Sequence, residues 1–273
     1  DGTIAIGKSA LTALTSGASN TSVGYYSLGT IKADSSNTSI GYESSRYMWG
    51  GSNVAVGKDA LKGATFTDAT CDYNHTGGSP RVVAHDANSS IIVGLGVSGT
   101  GIPDGAYIVS RDTSTQFTIN ADATATATNG TLTFYSRTED TVAIGTDAMT
   151  AVTATSVRGT VAIGHSALAA LTTGQRNVAI GLDAAKTGTT AANNVFIGHL
   201  VGDAMGIDAT GNVVVGRDAY GGSHSGSVNY VTAVGESACA GGLTTGAAGT
   251  VAIGKSALTA LTSGAENTAI GYQ

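Results

Sequence analysis

The sequence predicts an all-β fold: a parallel β-solenoid of twelve short coils, interrupted by one small inserted antiparallel β-domain. Three observations predict it. A strand-like tripeptide followed by glycine recurs twelve times, at Gly7, Gly24, Gly41, Gly57, Gly145, Gly164, Gly181, Gly198, Gly216, Gly235, Gly254 and Gly271. Apart from a single gap of 88 residues, these glycines stand 16 to 19 residues apart. The residue before each of them is Ile or Val without exception. A fixed period carrying a fixed apolar position marks a stacked array, in which each unit buries its surface against the next.

Composition agrees. Gly supplies 40 of the 273 residues, Pro only 2, and charged residues 12%, against roughly 25% in an ordinary globular domain. Such a chain has tight turns and small side chains around a thin core. The net charge is −6 and the 13 Lys and Arg are scattered, so the basic footprint of a nucleic-acid partner is missing. No apolar run approaches the ~20 residues of a membrane span, and no membrane insertion is expected. No secretion signal opens the chain, and its first residue is Asp1 rather than Met, as expected of a fragment or processed product. Cys71 and Cys239 do not make a disulfide framework. Cys239 takes a repeat position usually held by Leu, which predicts a buried free thiol.

Within each coil, the strand comes first. The residues before the glycines are Ile6, Val23, Ile40, Val56, Ile144, Ile163, Ile180, Ile197, Val215, Val234, Ile253 and Ile270. Two residues upstream of each stands Ile, Val or Thr, and a separation of two puts both positions on one strand face. Stacked, they form an Ile/Val ladder expected to be the solenoid core. Four residues before the glycine stands Asn seven times, at Asn20, Asn37, Asn53, Asn177, Asn194, Asn212 and Asn267. Asn suits a bend entering a strand, and stacked Asn residues form hydrogen-bonded ladders. The glycine is expected to supply a positive φ at the corner.

A second signature follows the glycine. Ser9-Ala10-Leu11, Asp59-Ala60-Leu61, Ser166-Ala167-Leu168 and Ser256-Ala257-Leu258 share it. Ser or Asp ahead of apolar residues spaced by three resembles a capped helical turn. The limb is read as a short helical turn or a second strand. Residues 5–18 and 252–265 are identical, so the array looks like part of a longer duplicated one. Twelve coils at ~4.8 Å give a rod of about 55 Å.

The residue between the two ladder positions points the other way. Ala143, Ala162, Ala179, Phe196, Val214 and Ala233 occupy it, and none of the twelve coils places a charge there. A solvated strand face normally carries charge. These six are therefore expected at an interface between copies of the chain, arranged around a threefold axis as a homotrimer.

The long gap divides the chain into residues 1–63 (coils one to four), 64–139 (the insertion) and 140–273 (coils five to twelve). Both prolines and six of the fifteen aromatic residues lie in the insertion. Apolar runs at Val82-Val83, Ile91-Ile92-Val93, Tyr107-Ile108-Val109, Phe117-Thr118-Ile119 and Leu132-Thr133-Phe134 predict five or more antiparallel strands.

The string Asn177-Val178-Ala179-Ile180-Gly181 resembles the head repeat of trimeric autotransporter adhesins. The longer period, with its AIGxxALxxLTTGxxNxAIG pattern, is still more similar to repeats of bacteriophage tail fibres. The resemblance covers about 200 of the 273 residues. It implies a left-handed parallel β-roll trimer used for attachment to a host or surface. The insertion stretch around Val97–Ser110 and Thr115–Phe134 is similar to small β-domains of phage structural proteins, which points to a virion tail fibre ahead of a bacterial surface adhesin. A polysaccharide-cleaving tailspike and an ice-binding solenoid are weaker alternatives.

No enzymatic chemistry is read from the sequence. Glu43, Asp59, Asp147, Asp183 and Asp218 recur two residues after the glycine, but Ser9, Ser166, Ser237 and Ser256 share the place, which favours a capped or solvated corner over an ion site or a glycosidase pair. His75, His85, His165, His199 and His224 lack metal-ligand spacing. No nucleotide-binding loop or nucleophile elbow occurs, and no cofactor is expected. The expected partner beyond sister chains is a host cell-surface glycan or protein. Its candidate contacts are Tyr25, Tyr26, Tyr42, Tyr47, Trp49 and Tyr73, because amphipathic rings favour half-wet sites. The alternative for the first five is a plug at the junction with the insertion or a neighbouring chain. His75 and Arg81 are weaker candidates.

Overall fold

The computed structural model of the chain describes residues 2–74, 81–153, 157–203, 209–222, 224 and 226–273. Twelve three-residue strands stack into one parallel sheet. With strands numbered in chain order, they are β1 (Ile4–Ile6), β2 (Thr21–Val23), β3 (Thr38–Ile40), β5 (Val54–Val56), β12 (Val142–Ile144), β13 (Val161–Ile163), β14 (Val178–Ile180), β15 (Val195–Ile197), β16 (Val213–Val215), β17 (Thr232–Val234), β18 (Val251–Ile253) and β19 (Thr268–Ile270). Every rung pairs with the next without a register shift, so Ile144, Ile163, Ile180 and Ile197 align vertically. The stack runs straight through the insertion: Val54, Ala55 and Val56 pair with Val142, Ala143 and Ile144.

The stack is held together at three places in each coil. The strand is the first. The second is the limb after the glycine, which is neither helix nor strand. Its residues two and four after the glycine take left-handed backbone, as at Ser166 (φ 56°) and Leu168 (φ 50°). Their N–H groups then point along the rod in opposite directions. Ser166 N–H donates to Thr146 O of the preceding coil at 3.0 Å, and Leu168 N–H to Ala184 O of the following coil at 3.0 Å. Left-handed backbone costs ~1–2 kcal/mol per residue, and these inter-coil bonds are what hold it. The glycine corner permits no side chain. Gly216 has φ +136°, and a Cβ there would stand 2.5 Å from Gly235 O.

The third place is the asparagine ladder. Asn194 N–H and Nδ2 both donate to Asn177 Oδ1 at 3.1 Å, Nδ2 also donates to Ala209 O at 2.9 Å, and Asn194 Oδ1 accepts from Asn212 N–H at 2.9 Å. Asn20, Asn37 and Asn53 repeat the pattern in the first coils. Each buried amide serves backbone groups at the bend as well as the next Asn, so the corner leaves few polar groups unpaired.

The structure reverses the expected polarity of the strand. In β2, β3, β5 and β12 to β18 the middle residue is fully buried: Ala143, Ala162, Ala179, Phe196, Val214 and Ala233 are all 0% exposed within a single chain. They form the solenoid core, and they are not subunit-interface residues. The twelve residues assigned to that core face outward. Ile6, Ile40, Ile197, Ile253 and Ile270 are exposed, and Val23, Val56, Ile144, Ile163, Ile180, Val215 and Val234 are half-buried. The reason is volume. The second limb sends Leu61, Leu168 and Leu171 inward, and the little space left in the coils of Leu61 and Leu168 is filled by Ala55 and Ala162. The coil with Phe196 in the strand makes the point from the other side. It has Gly202 in the second limb, where a Cβ would meet the Phe196 ring at 2.7 Å. The serine coils close the same gap with hydrogen bonds: Ser22, Ser27, Ser39 and Ser44 are all 0% exposed and donate in succession to Ser27 O, Ser39 O, Ser44 O and Ala55 O.

The insertion is a second sheet. Its strands are β6 (Thr65–Tyr73), β7 (Val82–Ala84), β8 (Gly96–Ser98), β9 (Ile108–Thr113), β10 (Gln116–Ile119) and β11 (Ala127–Arg137), in the order β11-β6-β7-β10-β9 with β8 also on β11. Pairing inside it is antiparallel, as expected. Ile91-Ile92-Val93 lies in a turn region rather than a strand, although Ile91 is core. The core gathers Phe117 and Phe134 edge to face at 5.8 Å, with Phe66 stacked on Phe134 at 4.8 Å. The far end of β11 rejoins the rod: Ser136 and Arg137 pair in parallel with β4 (Met48–Trp49) of the third coil. Among the described residues no helix is long and apolar enough to cross a membrane.

Replacing Asn194 by Ala leaves Ala209 O and Asn212 N–H without these partners. At roughly 1–3 kcal/mol per unpaired buried group, the expected loss is about 3 kcal/mol, read as a lowered urea midpoint with circular dichroism otherwise unchanged.

Candidate functional site

Three places carry the chemistry: the outward ladder, the tyrosine cluster and the junction of rod and insertion. The ladder is the longest. Ile or Val stands before every repeat glycine, and none of these twelve residues is buried within one chain. The outward positions at the other end of each strand add Ile4, Val54, Val142, Val161, Val178, Val195, Val213 and Val251. A strip ~10 Å wide and about 55 Å long covers on the order of 500 Å². That equals the largest apolar patch of a typical monomer, about 300–600 Å² and often functional, and here it is unbroken by charge on any rung.

Of the six predicted receptor contacts, Trp49 is 1% exposed and Tyr73 is 4% exposed, so neither is a contact. Trp49 plugs the junction. Its ring stacks on Tyr135 at 4.5 Å, its Nε1–H donates to Thr30 O at 2.9 Å, and Gly96 leaves it room. Tyr73 donates its hydroxyl to Thr100 O inside the insertion. The remaining four share the first coils, but their faces are already in use. Tyr25 and Tyr42 are exposed and stack on each other at 5.2 Å along the rod, with Lys8 Nζ 6.0 Å from the Tyr25 ring centre. Arg46 lies over Tyr26 at 4.4 Å and over Tyr47 at 4.7 Å. Residues one turn apart stack their rings face to face, so one face of Tyr25 and one of Tyr42 are covered within the chain. His75 lies outside the described residues.

The recurring carboxylates occupy the left-handed corner position, with φ 53° at Glu43 and φ 56° at Asp59. Lys62 bridges them at 2.6 and 3.0 Å, Arg46 adds a bond to Glu43 at 2.5 Å, and Lys58 one to Asp59 at 3.0 Å. Burial opposes ionisation, yet these cations hold both carboxyls below the usual range. The group is an ion-paired staple between coils. Among the described residues, no three His, Cys, Asp or Glu side chains are placed to hold a metal ion. Burial pushes the Cys71 thiol up to about 12 and the Cys239 thiol up to about 11, and both cysteines are unpaired.

The junction cleft was not anticipated from the sequence. It encloses about 460 Å³ between the insertion, at Val93, Gly94 and Tyr107–Val109, and the rod, at Arg137–Glu139 and Arg158. One signal pointed to it: Arg137-Thr138-Glu139-Asp140 is a dense charged run in a chain with 12% charged residues. No family model matches the chain, and no curated protein or solved structure matches it.

His224 is a half-buried structural histidine. Leu243 N–H donates to its Nδ1 at 2.9 Å, so Nε2 carries the proton and donates to Tyr220 O at 3.0 Å, with the Tyr220 ring stacked on it at 3.8 Å. Burial lowers its affinity for a second proton. The unfolded imidazole titrates near 6.5. A lowered folded value means this contribution is complete above that pH and is lost as pH falls through it toward the folded value. The thermal midpoint is therefore expected to drop between pH 7 and pH 5, by less in His224→Gln, which has no imidazole to protonate.

Proposed function

We propose that this chain is a structural segment of an attachment fibre, in the manner of a bacteriophage tail fibre. Three copies pack side by side through their Ile/Val ladders, and the insertion projects as the module that meets a host cell surface. The observation that carries this reading is the outward ladder: a rigid rod presents an uncharged β-branched stripe on every coil. An isolated soluble protein has little reason to keep such a surface wet. An identical stripe on each copy is covered by closed rotational symmetry, and the resemblance to trimeric fibre repeats selects three.

The corrected strand polarity strengthens the self-association argument and changes its location. The small residues first assigned to the interface fill the inside of each rod. The Ile/Val stripe replaces them as the surface needing a partner. The insertion enters the fourth coil and leaves the parallel stack unbroken, as a module carried by a shaft requires.

Static light scattering tests the reading. The expected mass is three times the 26.8 kDa of one chain. Ile180→Lys places a charge in the middle of the stripe and is expected to shift the mass to a single chain without loss of β-structure. A wild-type protein that is monomeric at micromolar concentration contradicts it.

A further inference from the structure

The junction cleft has two unlike walls. On the side where β11 rejoins the rod, Glu139 is gripped by two guanidinium groups, one from the end of β11 and one from the following coil. Arg137 Nη2 bonds Glu139 Oε1 at 3.0 Å, and Arg158 pairs with Glu139 Oε2. Arg137 also lies 4.4 Å over the Tyr107 ring. Gly159 N–H donates to Glu139 O at 3.2 Å, so the backbones beneath the fork are tied together. The result is a fixed row of alternating donors and acceptors. On the insertion side, Val93 and Val109 are 49% and 43% exposed.

We propose that this cleft binds a neutral saccharide. The assignment rests on the attachment reading above and names the ligand class of its host-contacting module. Vicinal hydroxyls of a sugar ring donate and accept at adjacent positions, which a guanidinium–carboxylate–guanidinium row satisfies on both counts. The C–H face of the ring needs apolar contact, which Val93 and Val109 supply. Both guanidinium groups already pair with Glu139, so a carboxylate or phosphate has to displace it to be held in the same way. A purely apolar ligand leaves three charged groups desolvated without compensation. The cleft volume falls within the ~300–1,000 Å³ of small-ligand sites. None of its lining residues belongs to the Ile/Val ladder, so the site does not compete with the trimer contact for side chains.

The test is an array of neutral hexose and N-acetylhexosamine tri- and tetrasaccharides probed with the intact protein, the strongest binder then being titrated by calorimetry. Arg158→Ala and Val109→Asp alter the two walls at exposed positions, and each is expected to weaken binding at least tenfold. Lys186→Ala, which removes an exposed ion pair with Asp183 on a coil of the rod away from the cleft, is expected to leave it unchanged. Light scattering accompanies each titration. An assembled wild-type protein that binds no neutral saccharide, or whose binding survives both wall variants, overturns the cleft assignment and leaves the fibre reading standing. A monomeric wild type removes the fibre reading, whatever the array shows.

Discussion

Everything in this fold depends on one constraint: each coil lies directly on the next, so that every corner bonds to its counterpart one turn away. The strand satisfies it with ordinary parallel pairing. The second limb satisfies it with left-handed backbone at the positions two and four after the glycine, whose N–H groups point in opposite directions along the rod. The asparagines satisfy it with side chains, since a stacked amide both donates and accepts along the axis. Glycine at the corner follows from the same stacking, because a carbonyl of the next coil occupies the place a Cβ would need. Non-local hydrogen bonding of this regularity explains how so thin a core, built largely of Ala and Leu, can be stable.

Close stacking also sets which side of the strand is inside. The two limbs lie near one another, and the leucines of the second fill the gap. Ala55 and Ala162 fill what remains opposite Leu61 and Leu168, and Phe196 fits where Gly202 takes the leucine position. The large β-branched residues are left outside. Their alignment is a consequence of register, and their exposure along the rod is the physical basis of the proposed assembly.

The coil period, the parallel register, the buried asparagine ladder and the inserted antiparallel domain were all legible in the sequence, because each leaves a periodic or compositional trace. The sidedness of the strand was not. Alternation by two separates the faces of β14 but carries no sign, and reading Ile180 as inside followed from size alone. The second limb was illegible because Ser166 and Leu168 adopt left-handed backbone that neither residue type favours, an arrangement imposed by neighbouring coils. Trp49 was legible as a possible junction plug from its place near the insertion. The mutual stacking of Tyr25 and Tyr42 was not legible, since it follows from the coil register that places them one turn apart. The cleft at Arg137, Glu139 and Arg158 draws on parts of the chain joined only by the return of β11 to the rod.

The proposed assembly requires the outward stripe to meet its counterpart on a sister chain while the neighbouring position stays sealed within its own coil. Single cysteines at positions 180 and 179 read this directly, since Cys71 and Cys239 are both buried. Under mild oxidation, Ile180→Cys is predicted to join chains into covalent dimers on a non-reducing gel, and Ala179→Cys to remain a single chain. Cross-linking through position 179 with none through position 180 would contradict the account.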